Sequence, residues 1–222
     1  MSRTARVRGI QTAYDDYEGR GPAVVLLHGF PFNRSRWREQ AAALAGDYRV
    51  ITPDLRGHGE TAVTDEPATM EEMADDLAAL LDELKIERAV IGGLSMGGYV
   101  TLAFCRKYAG RVAALVLADT RATPDNEDGR RTREETARRA LAEGMGPIAD
   151  AMTPKLLAPA TLEHRPETVA RVREMILGTE PRGAAAALRG MALRRDQTDL
   201  LPSLRVPALV VVGSEDSLTP PP

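Results

Sequence analysis

A serine flanked by small residues lies near the middle of the chain, in the stretch Gly93-Leu94-Ser95-Met96-Gly97. An apolar run precedes this stretch and a helical pattern follows it, so a strand ends and a helix begins within a residue or two of Ser95. Such a sharp turn requires small neighbours, which the glycines provide. In this context the G-x-S-x-G pattern is typical of a nucleophilic serine with an exposed hydroxyl. A glycine-rich structural turn with an incidental serine is the alternative.

Two backbone N–H groups could face a negative charge formed near Ser95. Met96 begins the helix, where N–H groups have no intrahelical acceptor and attract anions. Phe30 ends the stretch Leu26 to Phe30 (LLHGF), and Pro31 after it cannot act as a competing donor. We therefore expect the N–H of Met96 to point toward an oxyanion on a substrate, and the N–H of Phe30 to be free over the sheet edge.

The elements that must position these residues follow from the apolar patterns. Each of five runs is continuously apolar and not alternating, which is typical of strands buried on both faces of a parallel sheet. The runs are Ala23 to His28, Arg49 to Leu55, Arg88 to Gly93, Val112 to Thr120 and Ala208 to Asp216. An amphipathic helix is predicted over Met70 to Leu84, and Thr69 with Glu72 forms a capping box at its start. The alternation predicts an α/β fold, with a mostly parallel sheet and helices on both faces.

The alternation of strands and helices stops after Asp119. Residues 120–199 show only helical spacing, and prolines open several segments. We predict a core of residues 1–119 and 200–222, with residues 120–199 inserted between two late strands as a helical cap over Ser95. Methionines of the cap could line an acyl pocket or pack helix against helix: Met145, Met152, Met175 and Met191. Phe32 and Trp37 could border the pocket or anchor the first helix.

Composition excludes several classes of protein. The 222 residues are 43% hydrophobic and 27% charged with a net charge of −3, which suits a globular enzyme and does not suggest binding to nucleic acid or an anionic membrane. One cysteine, Cys105, cannot form an internal disulfide, so a cytoplasmic location is expected. No signal-peptide run or membrane-spanning stretch is apparent.

Three motifs in order resemble the α/β-hydrolase fold superfamily, in particular its small esterase, lactonase and perhydrolase-like members: HGFP, DLRGHG and GLSMGG, which begin at His28, Asp54 and Gly93. The resemblance covers nearly the whole chain. It implies that Ser95 is the nucleophile and that the N–H groups of Phe30 and Met96 form the oxyanion hole. It also implies that Asp216, in the stretch VVGSEDSLTPP, is the acid that orients a histidine. Asp119 is the alternative acid.

The resemblance further implies hydrolysis of a small carboxylic ester or lactone through an acyl-enzyme, with no metal or cofactor. Two rivals remain open. One is a C–C bond hydrolase or perhydrolase that uses the same serine, and the other is a hydrolase-fold protein that binds a small ligand without turnover. The motifs do not identify the substrate or its acyl chain length.

The general base is the missing part of the pattern. The family order is serine, acid, histidine, and no histidine follows Asp216. His28 and His58 lie in glycine turns and His164 in the insertion, and we expect none of them to be the base. We expect a native chain that continues past Pro222 with a strand and the histidine, or a partner that supplies them through the exposed last strand. Activity of the present chain is expected to be much reduced.

Overall fold

A computed structural model describes residues 2–64 and 67–221, which fold around one seven-stranded sheet. The strands are β1 (Ser2–Val7), β2 (Ile10–Glu18), β3 (Ala23–Leu27), β4 (Arg49–Pro53), β5 (Ala89–Leu94), β6 (Val112–Ala118) and β7 (Ala208–Val211). Their order across the sheet is β1-β2-β4-β3-β5-β6-β7. The first two strands are antiparallel to their neighbours, whereas β4, β3, β5, β6 and β7 are all parallel. The predicted α/β class with a mostly parallel sheet is confirmed.

All five predicted apolar runs form strands, but an additional hairpin was not predicted. β1 and β2 pair around Arg8 and Gly9, which have φ angles of 47° and 87°. Two successive residues with positive φ are characteristic of the tight turn that best matches the twist of a hairpin. In the sequence, the pair Arg8-Gly9 was the feature that could have predicted this turn. Polar residues dominate β1, so it lacks the apolar run by which the parallel strands were found.

The helices are α1 (Arg38–Leu44), α2 (Met70–Glu83), α3 (Met96–Lys107), α4 (Glu127–Glu143), α5 (Gly146–Leu156), α6 (Pro159–His164), α7 (Pro166–Leu177) and α8 (Pro181–Ala192). The predicted helix start at Thr69 is correct, since its hydroxyl accepts a hydrogen bond of 3.1 Å from the N–H of Glu72. The carboxylate of Glu72 instead lies 3.4 Å from Arg56. The apolar face of α2 is buried, including Met70, Met73 and Leu81.

The two faces of the sheet have separate cores. Side chains alternate along a strand, so Val25 and Leu27 of β3 face the main core with α2 and α3, whereas Val24 and Leu26 face α1. Trp37 is buried in this second cluster, together with Ala41 of α1. Trp37 therefore anchors the first helix on the sheet, and Phe32 is likewise buried in the main core.

Strand β7 lies at one edge of the sheet. It pairs with β6 on one side, and its apolar side chains are exposed, with Leu209 at 57% and Val210 at 70%. An exposed apolar edge favours pairing with another strand, so pairing through β7 stays a prediction.

Five helices, α4 to α8, lie between β6 and β7, where the helical insertion was predicted. The last of them is in backbone contact with the rest of the chain. A Cβ on Gly183 would lie 1.9 Å from the carbonyl oxygen of Gly57, and the N–H of Ala68 donates to the carbonyl of Ala186 at 3.1 Å. Helix α8 is thus packed rigidly, while the division of the chain into core and cap stays a prediction. Among the described residues, no helix is long and apolar enough to cross a membrane.

Candidate active site

The chain reverses direction across the sheet at β3. From β3 it moves to β4 on one side, and it then returns to β5 on the other side, so that Leu27 and Gly93 are partners in the register. In open α/β sheets, ligands bind outside the carboxyl ends of the strands at such a switch point. The loop after β3 contains Phe30, and the turn after β5 contains Ser95. The topology therefore places both predicted site residues at the same edge of the sheet.

Ser95 has a strained backbone conformation, as the motif predicts. Its φ of 51° and ψ of −111° lie outside the regions that L-residues favour. Its N–H donates to the carbonyl of Ala118 at 2.9 Å, and its carbonyl accepts from the hydroxyl of Thr120 at 2.9 Å. The residue is half-buried, and its hydroxyl has no hydrogen-bond partner within residues 2–64 and 67–221. The neighbouring strand β6 and the residues after it thus fix the turn and leave the Ser95 hydroxyl free.

The glycines around Ser95 are required by close backbone contacts. A Cβ on Gly93 would lie 2.2 Å from the carbonyl of Gly97, and one on Gly97 would lie 2.4 Å from the carbonyl oxygen of Leu27. A Cβ on Gly98 would meet the side chain of Thr120 at 2.4 Å. No side chain fits at these distances, so strand β5, helix α3 and strand β3 can approach one another only because these positions lack one.

Two buried N–H groups at this edge lack acceptors. Met96 is fully buried at the first position of α3, and Phe30 is 8% exposed in the loop after β3. Neither backbone N–H has a hydrogen-bond partner in the described part of the chain. Buried N–H groups without partners are rare in proteins. An unpaired N–H at a helix N-terminus attracts anions, so the position of Met96 suits an oxyanion, and an oxyanion hole formed with Phe30 stays a prediction.

His28 supports the loop after β3. It is fully buried, its Nε2 accepts the N–H of Leu55 at 3.0 Å, and its Nδ1 lies 3.0 Å from the carbonyl oxygen of Gly29. The neutral ring with the proton on Nδ1 satisfies both contacts. Burial lowers the pKa of His28 to about 4. One ring nitrogen is therefore engaged with the loop after β3 and the other with the loop after β4, as expected for a structural histidine.

His58 lies beside His28, with ring centroids 5.1 Å apart. Its Nδ1 is 3.0 Å from the carbonyl oxygen of Arg56, and its ring meets the ring of Phe30 edge-on at 6.0 Å. Burial and the neighbouring His28 lower the pKa of His58 to about 3. The third histidine, His164, is exposed at the end of α6. None of the three histidines in the sequence, all of them in the described part of the chain, hydrogen-bonds the hydroxyl of Ser95.

The two candidate acids follow β6 and β7, which are neighbouring strands. The Oδ1 of Asp216 accepts the N–H groups of Leu218 at 2.8 Å and Thr219 at 3.0 Å, and its Oδ2 accepts the hydroxyl of Thr219 at 2.5 Å. Burial raises the pKa of Asp216, but these hydrogen bonds outweigh burial and hold it below its usual range. Asp119 has a φ of 44° and accepts the N–H of Gly213 at 2.9 Å. Asp119 thus ties the end of β6 to the loop after β7.

A buried ion pair joins the loops after β3 and β4, and sequence analysis did not identify it. Asp54 accepts the backbone N–H of Arg34 at 2.6 Å and that of Glu60 at 2.9 Å, and its carboxylate contacts the guanidinium of Arg34. The carboxylate side chain is fully buried. The available signal was a charged residue in each of two glycine-rich turns, which sequence alone does not show to be adjacent.

The structure also locates the four methionines of the predicted cap and the one cysteine of the sequence. Met145 and Met191 are buried in the main core, Met152 and Met175 pack against it, and the sulfur of Met175 lies 3.5 Å from the hydroxyl of Ser35. A pocket-lining role for these methionines stays a prediction. Cys105 is buried, and burial raises the pKa of its thiol to about 12. Within residues 2–64 and 67–221, no cluster of three or more histidine, cysteine, aspartate or glutamate side chains could hold a metal ion.

Comparison with known proteins is consistent with this geometry. The family model for the alpha/beta hydrolase fold matches residues 22–221. A thermophilic esterase from Thermogutta terrifontis superposes with a TM-score of 0.95 at 46% identity, covering 100% of this chain and 83% of that one. The enol-lactonase from Burkholderia xenovorans LB400 has a TM-score of 0.89 at 32% identity, covering 96% and 81%.

Another relative is also named as an enol-lactonase. 3-oxoadipate enol-lactonase 1 from Acinetobacter baylyi is 31% identical over 199 residues, which are 89% of this chain and 73% of the relative. The family match covers most of the chain, and the solved structures share its sheet and helices throughout. The chain therefore belongs to the α/β-hydrolase family.

Proposed function

We propose that this hydrolase cleaves a small carboxylic ester or lactone through an acyl-enzyme on Ser95. The observation that carries the proposal is the strained turn that leaves the Ser95 hydroxyl free beside the unpaired N–H of Met96. The relatives named as an esterase and as enol-lactonases support this substrate class. An ester and a lactone present the same carbonyl to the nucleophile, so one site serves both.

In the proposed reaction, the oxygen of Ser95 attacks the substrate carbonyl and loses its proton to a base. The N–H groups of Phe30 and Met96 stabilise the oxyanion of the tetrahedral intermediate. The intermediate collapses, the alcohol oxygen leaves with a proton, and an ester bond to Ser95 remains. Attack by water on this ester then releases the carboxylic acid and restores the serine.

Asp216 is the proposed acid partner of the base. It follows β7 at the same sheet edge, after Ser95 in chain order as in other α/β hydrolases. Both acids already accept hydrogen bonds, Asp119 from Gly213 and Asp216 from Leu218 and Thr219, so the choice of Asp216 rests on the match of its turn to the family pattern, and Asp119 is the alternative. A cytoplasmic location also stays a proposal, and the buried thiol of Cys105 is compatible with it.

We propose that residues 1–222 alone hydrolyse an ester or lactone slowly. His28 and His58 are buried with their protons fixed, and His164 is exposed on the insertion, so Ser95 has no histidine to take its proton. Loss of one triad member leaves only the catalysis that comes from the oxyanion hole and from binding, about 10³ to 10⁴ over water. Added imidazole supplies the same basic group as a histidine side chain, so it tests whether the hydroxyl of Ser95 reacts once a base is present.

The test is hydrolysis of p-nitrophenyl butyrate at pH 7.5 with increasing imidazole. We expect the wild-type rate to rise with imidazole to about 10²-fold above that of Ser95→Ala, which keeps the oxyanion hole but lacks the nucleophile, because a general base contributes about 10²- to 10⁴-fold. Exposed Ser214→Ala is the matched control and should behave as wild type. Intact-mass and peptide analysis should locate a butyryl group on Ser95. Equal rates for wild type and Ser95→Ala at every imidazole concentration would leave a ligand-binding role without turnover.

A further inference from the structure

A threonine of the helical insertion reaches the loop that contains Phe30. Thr179 lies in the turn between α7 and α8 and is 3% exposed. Its hydroxyl donates a buried hydrogen bond of 2.6 Å to the carbonyl of Pro31, which is 148 residues away in sequence. The same hydroxyl lies 3.3 Å from the carbonyl oxygen of Met175 in the preceding helix, α7. The short bond therefore connects the insertion to the loop after β3.

The carbonyl of Pro31 shares a peptide unit with the N–H of Phe32, and the N–H of Phe30 shares one with the carbonyl of Gly29. A hydrogen bond of 2.9 Å from the N–H of Phe32 to the carbonyl of Gly29 closes the turn around these residues. Thr179 is the only hydrogen-bond donor to the Pro31 carbonyl in the described part of the chain. The rotation of this turn sets the direction of the Phe30 N–H, and Thr179 holds the turn from the insertion side.

The opposite side of the turn is held by the sheet-side loops. His28 bonds to Gly29 and Leu55, and the ring of His58 packs edge-on against the ring of Phe30. His58 thus contacts the side chain of Phe30 from one side, and Thr179 holds the backbone of Pro31 from the other. Loss of the Thr179 bond leaves a buried carbonyl without a donor, which the turn can relieve only by rotating.

We propose that Thr179 is a positioning residue that sets the direction of the Phe30 N–H, so that seating of the α7–α8 corner and alignment of the oxyanion hole are one event. The inference rests on the proposed function of Ser95. It goes further, because it couples the helical insertion to transition-state stabilisation through one hydroxyl. A purely structural bond would stabilise the fold without affecting the alignment of that N–H.

Three variants separate these roles. Thr179→Val keeps the shape of the side chain and removes the hydroxyl, whereas Thr179→Ser keeps the hydroxyl. Thr153→Val is the matched control, because the buried hydroxyl of Thr153 donates to the carbonyl of Ala149 at 2.7 Å within α5 and touches no part of the loop. Hydrogen exchange of the peptide spanning residues 26–33 reports the loop without requiring turnover.

We expect Thr179→Val to increase exchange in that peptide and to lower kcat for imidazole-assisted hydrolysis by about tenfold with KM nearly unchanged, since a misaligned donor costs less than the 10²- to 10³-fold loss of a removed one. Thr179→Ser should restore both, and Thr153→Val should change neither. Wild-type exchange and kcat in Thr179→Val would overturn the inference while Ser95-dependent hydrolysis stands. Equal rates for wild type and Ser95→Ala would overturn the proposed function and the inference together.

Discussion

The Nε2 atom of His28 accepts the backbone N–H of Leu55 at 3.0 Å, so the loop after β3 is tied to the loop after β4 by a neutral imidazole. In a protonated ring, Nε2 of His28 would carry a hydrogen and face the N–H of Leu55, so this hydrogen bond would be lost. Burial, with a smaller effect from the charge of Arg34, lowers the pKa of His28 to about 4. The loop that contains Phe30 is thus held by a contact that exists only while His28 is uncharged.

Stability is expected to fall on acidification between pH 6.5 and 4. An unfolded His28 takes up a proton near pH 6.5, while the folded one does so only near pH 4. In that window the unfolded state binds more protons, so the free energy of unfolding rises with pH and is lost as pH falls, by about 3 kcal/mol. His58, with a pKa of about 3, adds in the same direction. Urea unfolding at four pH values measures the slope.

The variant His28→Gln should show a shallower slope over the same window. His164→Gln is the matched control, since that side chain is exposed in the folded chain as in the unfolded one. A slope in His28→Gln equal to that of wild type would contradict the assignment of this acid sensitivity to His28.

Replacement of Gly93 by alanine is expected to disrupt the turn around Ser95. Its Cβ would lie 2.2 Å from backbone atoms of Gly97, which cannot move without shifting α3. We expect a loss of more than about 3 kcal/mol in the free energy of unfolding, or failure to fold. Gly110→Ala provides the comparison, because its Cβ meets no atom within 4 Å. That variant should stay within about 0.5 kcal/mol of wild type, as measured by urea unfolding.

The parallel strands could be predicted from sequence because each leaves a continuous apolar run, although β7 at the sheet edge is exposed. The turn at Ser95 could also be predicted, since a strand, a small-residue turn and a helix follow one another within ten residues. The hairpin of β1 and β2 was not predicted, because β1 is mostly polar and its cross-strand pairs mix polar with apolar residues. A local sequence pattern thus identifies an element that consists of consecutive apolar residues and misses one that is mostly polar.

The contacts that hold the loop after β3 could not be predicted in the same way. The bond from Thr179 to Pro31 joins residues from distant parts of the chain, and neither position is unusual in its own neighbourhood. The Asp54 carboxylate is buried only because Arg34 from another loop neutralises it. Such pairs depend on which strands become neighbours, so they become visible only once the sheet order is known.

The backbone strain at Ser95 predicts that a residue free of this strain would raise the free energy of unfolding. A non-glycine residue with a φ of 51° and a ψ of −111° costs about 1 to 3 kcal/mol. Ser95→Gly should therefore raise the free energy of unfolding by about 1 kcal/mol, after subtraction of the extra freedom of glycine in the unfolded chain. Ser203→Gly, at the last residue of a 3-10 helix and without a positive φ, should lower it. Thermal and urea unfolding of both variants provide the measurement, and a loss in Ser95→Gly would contradict the strain.

The two ends of the helical insertion are joined by a buried ion pair whose removal should destabilise the chain. Asp125 precedes α4 and Arg194 follows α8, and their charged atoms lie 2.7 Å apart with side chains at most 8% exposed. The guanidinium also stacks 4.3 Å from the ring centroid of Tyr99, in the helix that begins after Ser95. Burial raises the pKa of Asp125, but hydrogen bonds from Arg194 and Arg133 outweigh burial and lower it to about 2.

Arg194→Leu is expected to lower the free energy of unfolding by about 3 kcal/mol at pH 7, because a buried carboxylate loses one of its two cations. The exposed pair of Arg131 and Asp128 provides the comparison, and Arg131→Leu should cost at most about 1 kcal/mol. The stability due to the lowered pKa of Asp125 is present above pH 4 and is lost as pH falls toward 2. In Arg194→Leu this acid loss should begin at higher pH, since the pKa rises. Equal costs for the two arginine variants at pH 7 would show that the buried pair does not hold the insertion in place.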